Sequence, residues 1–171
     1  PNAPLAEAIA LAGGPTPEAT LLDVLVVRGT ETLRFDATSP QAAQVQLQSA
    51  DQVYVLKNER SALVIGEVVK PGVVMFEDGK RYALADMLAA GSGLTQIGSL
   101  RRVYLGRPGA DGRLEVKEYA LDKFLKDGDA SSNPEVLPGD IVMFGQQKSL
   151  STTAIQQALS SALLFFNIIR R

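Results

Sequence analysis

The feature that most constrains the fold of this chain is an internal repeat. Laid over each other without gaps, residues 4–29 (PLAEAIALAGGPTPEATLLDVLVVRG) and 83–108 (ALADMLAAGSGLTQIGSLRRVYLGRP) show the same order of events. Each stretch starts with apolar residues at helical spacing, runs into glycines, and continues through a threonine to an apolar segment that closes on an arginine, Arg28 or Arg107. Both copies later reach an aspartate that precedes a further apolar run, ADQVYVL or PGDIVMFG. The repeat therefore predicts two related modules along the chain.

The second copy is complete and predicts an α+β module. Ahead of its helix, SALVIGEVVKPGVVMFEDGKRYAL is typical of two strands joined at Pro71-Gly72, a pair suited to a type II turn. After the helix come two strands, RRVYLGRP and GRLEVKEYAL, a polar helical stretch, LDKFLKDGD, and a last strand, DIVMFG. This order of elements is that of a β-grasp, a mixed sheet around one helix.

The first copy begins at its helix and has no hairpin ahead of it. Because an unpaired sheet edge promotes aggregation, we expect another segment to cover the edge that this leaves open. The predicted organisation is a first β-grasp-like module at 1–57 without its N-terminal hairpin, a complete module at 58–147, and a C-terminal amphipathic helix at 148–171.

The composition excludes several classes of chemistry. The 171 residues include no cysteine and no histidine, which removes disulfides, thiol nucleophiles, Ser-His-Asp triads and ordinary zinc sites. A net charge of −2, with no basic run ahead of the C-terminus, argues against an electrostatic nucleic-acid binder. The start of the chain, PNAPLAEAIALAGGP, has neither an initiator methionine nor a basic leader, which indicates a processed protein or a fragment.

The sequence contains no catalytic, cofactor-binding or metal-binding constellation. The glycines in GSGLTQIG (91–98) follow a predicted helix and precede a strand, the reverse of the dinucleotide fingerprint. They are interpreted as a helix C-cap, as are Gly13 and Gly14. Four acidic residues are interpreted as helix-start or turn acids: Glu7, Asp51, Asp86 and Asp140. We therefore expect no enzymatic activity and no cofactor.

Two motifs in the second copy carry a resemblance to a known family: GEVVKPG (66–72) and LPGD (137–140). With the glycine-ended helix and the arginine-closed strand, they resemble the soluble-ligand-binding β-grasp (SLBB) family, and within it the modules of outer-membrane polysaccharide export (OPX) proteins. The first copy is similar from LAEAIALAGGPT to ADQVYVL. The resemblance implies a ring-shaped homo-oligomer in the periplasm and outer membrane. Its implied partners are a polysaccharide and an inner-membrane polysaccharide co-polymerase, and not nucleic acid.

The last twenty residues, TTAIQQALSSALLFFNIIRR (152–171), predict a helix with a narrow uncharged seam and a wide apolar face. At about 1.5 Å per residue the helix would be roughly 30 Å long, which matches the hydrocarbon core of a bilayer. The residues of the seam are candidate pore-facing positions: Thr153, Gln157, Ser160 and Asn167. The residues of the apolar face are candidate lipid- or partner-facing positions: Ile155, Leu159, Leu163, Phe165, Phe166 and Ile169.

Three placements of this helix are compatible with the sequence. In a pore, several copies stand side by side with the seam toward water, the apolar face toward lipid, and Arg170 and Arg171 at the far interface. In a docked arrangement, the apolar face packs on a β-grasp sheet of the same or a neighbouring molecule. In an interfacial arrangement the helix lies flat on the membrane, although such helices usually have a cationic polar face. The helix residues alone favour docking, whereas the resemblance favours the pore.

Arg102 and Tyr104 are candidate saccharide contacts, because strand alternation places them on one face, with the tyrosine ring available for stacking on a sugar. The alternative is a solvated edge strand whose arginines form ion pairs with the acidic segment at 122–129. Taken with the resemblance, the sequence predicts a component of a polysaccharide-export conduit. The alternative function is a soluble periplasmic carbohydrate- or ligand-binding or adaptor module whose C-terminal helix docks on a protein partner.

Overall fold

The computed structural model describes residues 3–148 and 150–169, apart from the side chain of Ala43. Several sheets and a C-terminal helix confirm the predicted α+β class. The chain divides into two compact units, Pro1–Asn58 and Glu59–Arg171. The sequence predicts a separate third part at 148–171, whereas the structure includes the described helix of that segment in the second unit.

The first unit consists of a three-stranded antiparallel sheet and a helix that packs on it. In chain order its elements are α1 (Leu5–Leu11), β1 (Ala19–Arg28), β2 (Glu31–Phe35), α2 (Pro40–Ala43) and β3 (Gln52–Lys57). The strand order is β2-β1-β3. Leu5 and Ile9 of α1 form the buried core with Val24 and Val26 of β1. Successive side chains of a strand point to opposite faces, and the two valines alternate with half-buried neighbours, so only one face of β1 is fully buried.

The second unit contains the predicted β-grasp order and two additional short strands. Its first half comprises β4 (Ser61–Gly66), β5 (Gly72–Met75), β6 (Tyr82–Ala83) and α3 (Leu84–Ala90). Its second half comprises β7 (Gly98–Pro108), β8 (Leu114–Tyr119), α4 (Leu121–Asp127), a 3-10 turn (Ala130–Ser132), β9 (Glu135–Val136), β10 (Ile141–Gln146) and α5 (Thr152–Ile169). The main sheet has the order β5-β4-β10-β7-β8, in which β4 and β10 are parallel and all other neighbours antiparallel.

The main sheet of the second unit is covered on both faces. On one face, Val64 of β4 and Val142 and Phe144 of β10 pack against α3 and α4. On the other face, Leu63 and Ile141 pack against α5. Because β4 and β10 lie in the middle of the sheet with both faces buried, they read as uninterrupted apolar runs, ALVI and IVMF, rather than as alternating strands.

Both long repeat helices end as the sequence predicts, in a glycine-type C-cap. The amide of Gly14 donates to the carbonyl of Ile9 at 2.9 Å, and the amide of Gly93 donates to the carbonyl of Leu88 at 3.0 Å. These bonds join residues five apart, as in a Schellman motif, whose left-handed position is Gly13 (φ 98°) in the first copy and Ser92 (φ 59°) in the second. Gly14 and Gly93 follow directly and also have positive φ, 81° and 84°. The glycines therefore terminate helices, which confirms the C-cap interpretation.

The two copies of the repeat pair their strands in the same register. Val26 faces Val53 across β1 and β3, and their counterparts in the second copy, Leu105 and Val142, face each other across β7 and β10. The helix starts also correspond. The amide of Leu5 bonds to the carbonyl of Val45, as the amide of Leu84 does to that of Pro134. The sequence repeat is thus a structural repeat down to single residue pairs.

Candidate functional site

The site predicted from the sequence lies on α5, which is helical along its whole described length. Ser151 precedes the helix, and its hydroxyl accepts a hydrogen bond from the amide of Ala154 at 3.2 Å, as an N-cap residue does. Proline, glycine and charged residues are absent from Thr152–Ile169. By length and composition this helix could cross a membrane, although core helices of soluble proteins satisfy the same criteria. Arg170 and Arg171, predicted at the far interface, lie outside the described residues.

One face of α5 packs on the chain's own sheet. Ile155, Leu159 and Phe166 are buried there, and Leu163 is half-buried beside them. They contact a bed of apolar side chains from the back of the main sheet: Leu63, Tyr104, Ile141 and Met143. Four of the six candidate lipid- or partner-facing residues therefore contact protein of the same unit in this arrangement, three of them buried.

A second apolar surface of α5 is exposed, and we call it the terminal patch. Its four members are Leu164, Phe165, Ile168 and Ile169, with exposed fractions of 69%, 60%, 71% and 53%. Two of them, Phe165 and Ile169, are among the candidate lipid- or partner-facing residues. The patch occupies the last two turns of the helix, so α5 has one apolar face against the sheet and another open to its surroundings.

The four candidate pore-facing residues are all exposed: Thr153, Gln157, Ser160 and Asn167. Ser160 lines an open hollow of about 470 Å³ with Arg113 and Leu163. Asn167 lines a second hollow of about 460 Å³, which Leu163 also borders. The seam is thus exposed, with Ser160 and Asn167 beside residues of β7 and β8, and its role as a pore lining stays a prediction.

The structure corrects the candidate saccharide contact at Tyr104. This side chain is 4% exposed because it forms part of the bed under α5. Burial, followed by the charge of Glu118, raises the pKa of the Tyr104 phenol, while Arg102 lowers it by a smaller amount. While the helix is docked, the ring offers no face on which a sugar could stack. Arg102 is half-buried, and its guanidinium donates hydrogen bonds to the carbonyls of Gln146 and Gln147.

The alternative interpretation of this strand is right for the ion pair of Arg101 and wrong for the strand's position, because β7 lies between β10 and β8 and is not an edge strand. The Nε of Arg101 lies 3.2 Å from Oδ2 of Asp122, and Lys126 approaches the same oxygen at 3.4 Å. Burial alone would raise the pKa of the Asp122 carboxyl, but the hydrogen bonds from Arg101 and Lys126 outweigh it and lower the pKa. An open cleft of about 580 Å³ borders these three residues and Arg102. Through this cleft a polar chain could still reach the side chains of Arg101 and Arg102.

A pair of matching ion pairs joins each copy's arginine to its aspartate. Arg28 donates from Nε and Nη2 to the two carboxylate oxygens of Asp51 at 2.9 and 2.7 Å, and Arg107 donates to Asp140 at the same two distances. Both carboxylates are almost fully buried, at 2% and 1% exposure. In each copy the carboxylate also accepts a backbone amide three residues before it, from Gln48 or Leu137, at 2.8 Å.

These ion pairs were not predicted from the sequence, which assigned Asp51 and Asp140 to turns only. The signal was available, because the repeat places Arg28 and Arg107 at equivalent positions and does the same for the two aspartates. The fork geometry of arginine suits a carboxylate and fixes the angle between strand and turn. The pairs therefore stabilise the frame of each copy and provide no free charge for a ligand. Over residues 3–148 and 150–169, no cluster of acidic side chains suits a metal ion.

Comparison with known proteins relates both copies to one domain type. The sequence model of the SLBB domain matches residues 1–36 and 63–117, which together make up just over half of the chain. The matched segments contain α1, β1 and β2 from the first unit and the hairpin, α3 and β7 from the second. A search of curated proteins finds no match to this chain.

Proposed function

The chain belongs to the SLBB domain family, and from this premise we propose that it is a component of a ring-shaped conduit that exports a polysaccharide through the periplasm and outer membrane. SLBB domains are found in polysaccharide-export proteins, among others. The proposed partners are the polysaccharide, further copies of the chain, the outer membrane and an inner-membrane polysaccharide co-polymerase. The proposed mechanism is passive, without an enzymatic step, because a moving polymer needs weak polar contacts rather than tight binding.

The terminal patch is the observation that carries the membrane part of this proposal. Four large apolar side chains at the end of a helix are exposed by more than half each, which is costly in water and favourable in lipid. The 18 described residues of α5 would extend about 27 Å. A patch at one end of an uncharged helix of that length suits entry into a bilayer by its C-terminal end.

To line a pore, α5 has to leave the sheet on which it is docked. Re-exposing Ile155, Leu159 and Phe166 to water would cost roughly 5–9 kcal/mol, at about 1.5–3 kcal/mol for each buried side chain. Contact with lipid would offset this cost for the helix. Contact between neighbouring protomers would offset it for the uncovered bed of Leu63 and Ile141. We therefore propose that the docked helix is the membrane-free form and that release accompanies assembly in the membrane.

A second candidate function has a specific observation in its favour, namely the docked helix itself. If α5 stays on the sheet, the chain is a soluble carbohydrate-binding or adaptor module of the periplasm. Its terminal patch would then contact a protein partner instead of lipid. In this case the bed and the docked face stay buried in every state of the molecule.

A reversible cross-link between helix and sheet separates the two functions. The chain has no cysteine, so Leu159→Cys with Met143→Cys places a single disulfide within the cluster that both residues share. If the conduit proposal is right, the oxidised protein does not conduct ions across phosphatidylethanolamine–phosphatidylglycerol vesicles, although its exposed terminal patch can still bind their surface. Adding a reductant then restores oligomer formation and ion conductance. A matched control disulfide between Ser61→Cys and Met75→Cys, which face each other in β4 and β5, should have no effect.

The opposite result would favour the second function. If the oxidised and reduced proteins conduct ions equally, or neither conducts, release of the helix does not open a pore and the conduit proposal is wrong. Binding of an oligosaccharide or a periplasmic protein by the locked monomer would then support the soluble module.

A further inference from the structure

We propose that the outer edge of β3 is a docking site for a β-hairpin with the chemistry of β4–β5. The hairpin would pair parallel to β3 and enter the fold on the N-terminal side of α1, as it does in the second copy. Among the described residues, no strand pairs with this edge, because β3 ends the order β2-β1-β3. In the second copy the equivalent strand, β10, is central and has β4 on that side.

The shared register identifies which groups of β3 would bind. In the second copy the amides of Leu63 and Glu67 donate to the carbonyls of Asp140 and Phe144, at 3.0 and 2.8 Å. The counterparts of these two acceptors in the first copy are the carbonyls of Asp51 and Val55. The hydrogen bonds of a parallel ladder are evenly spaced. The outer edge of β3 therefore has the same row of donors and acceptors as the edge of β10 that pairs with β4.

The degree of burial on the helix-covered face of β3 and β10 also favours a hairpin as the occupant of the β3 edge. Val142 and Phe144 of β10 are fully buried, in part by Val64 of the hairpin. Their counterparts Val53 and Val55 pack on the first core but are only partly buried. A strand that covers them has to be apolar on its α1 side, as β4 is with Ala62 and Val64. This pattern favours a hairpin of the β4–β5 type over a polar strand.

The entry point of the hairpin is also in place. In the second copy β6 pairs Ala83 with Glu135, and α3 begins at the next residue. In the first copy an isolated bridge joins Pro4 to Gln46, the equivalent residues, and α1 begins at the next residue. The chain therefore enters α1 from the same direction as it enters α3, and a hairpin bound at this edge would need no change in this geometry.

A graft tests the proposal on the full chain. Because Ala3 is the counterpart of Tyr82, a copy of residues 59–81 is placed directly ahead of Ala3. We expect hydrogen exchange at the amides of Val53 and Val55 to slow by roughly tenfold or more, toward that of Val142. The matched control carries Ile65→Pro in the grafted copy, which removes one ladder donor, and should leave both amides fast.

Each other outcome contradicts the proposal. Unchanged exchange in a folded graft, or equal protection with the proline control, means that the edge does not accept this hairpin. Protection that is already present in the original chain and grows with its concentration would assign the edge to a second copy. If the graft does not fold, a peptide of residues 59–81 with Ile65→Cys should form a disulfide with Tyr54→Cys in the chain. A peptide with Leu63→Cys, two residues out of register, should not, and equal or absent cross-linking overturns the proposal.

Discussion

The first copy of the repeat buries one face of three strands under α1, whereas the second copy covers the three equivalent strands with a hairpin, α3, α4 and α5. The strands β2-β1-β3 correspond to β8-β7-β10, and their registers and ion pairs match. Only the second copy has its last strand in the middle of a sheet. The comparison teaches that the three-stranded frame is specified locally in each copy, while the additions determine how much of it is buried.

The sharpest difference between the copies is the hairpin, and Gly66 connects it to β10. Gly66 has φ +85°, and a Cβ there would lie 2.2 Å from the carbonyl oxygen of Phe144. We expect Gly66→Ala to lower the free energy of unfolding of the second unit by more than about 3 kcal/mol, through strain and a backbone clash. The control is Gly29→Ala in the first copy, at φ +60° with open space around it, which should cost only about 1 kcal/mol.

These two variants are compared by chemical denaturation followed at residues of each unit by NMR. Similar losses in both units would mean that the close contact at the end of β4 does not hold in solution, and would weaken the contrast between the copies.

A truncation at equivalent valines measures the difference in burial directly. Val142→Ala should lower the free energy of unfolding by about 2–3 kcal/mol, because the side chain is fully buried and a cavity remains. Val53→Ala should cost about 1 kcal/mol or less, since its side chain is only partly buried. Denaturant midpoints of the two units provide the measurement. An equal loss at Val53 would show that something already covers the first copy.

The matching ion pairs predict similar effects in the two copies. Asp140→Asn removes a charge-assisted, two-pronged contact with Arg107 and should lower the free energy of unfolding by about 2 kcal/mol. Asp51→Asn should act in the same direction on the first unit through Arg28. Thermal unfolding of both variants checks this. The control is Arg113→Gln, which breaks the exposed ion pair with Asp111 and should leave the unfolding temperature almost unchanged. A loss confined to one copy would contradict their equivalence.

The smallest expected effect is the pH dependence that Asp51 contributes to the stability of the first copy. Hydrogen bonds from Arg28 and from the amide of Gln48 lower the pKa of Asp51 below its usual value, against the opposing effect of burial. Because the folded pKa is lower than the unfolded one, this contribution to stability is complete at neutral pH. It is lost as the pH falls from about 4 through the folded value. Unfolding midpoints at about pH 7 and about pH 3 should therefore differ less in Asp51→Asn than in the original chain.

Much of the fold could be predicted because it depends on signals that are local in sequence. The Gly14 and Gly93 caps follow from the position of glycine after a helix, and the β-grasp order follows from the alternation of apolar runs with turn residues. The ion pairs could not be read in this way, because their partners are 23 and 33 residues apart. Only the comparison of the two copies contains that information.

The residues of α5 alone favour the docked placement that the structure shows, but they do not decide it, because a helix with a wide apolar face can pack on protein or on lipid. The deciding signal lies elsewhere, in the runs ALVI and IVMF, which require cover on both faces of the sheet. The same layer explains the error at Tyr104. Strand alternation places this residue on the back face correctly, but does not reveal that a distant helix covers that face.

The turn between β1 and β2 and the equivalent turn between β7 and β8 differ in length, although the strands beside them keep one register. Two residues, Gly29 and Thr30, connect Arg28 to Glu31, whereas five residues connect Pro108 to Leu114. The entropy of closing a loop rises slowly with its length, so the shorter turn can accept extra residues at little cost. A lanthanide-binding or epitope tag between Gly29 and Thr30 would thus leave the strands aligned and provide a fixed marker on the first copy.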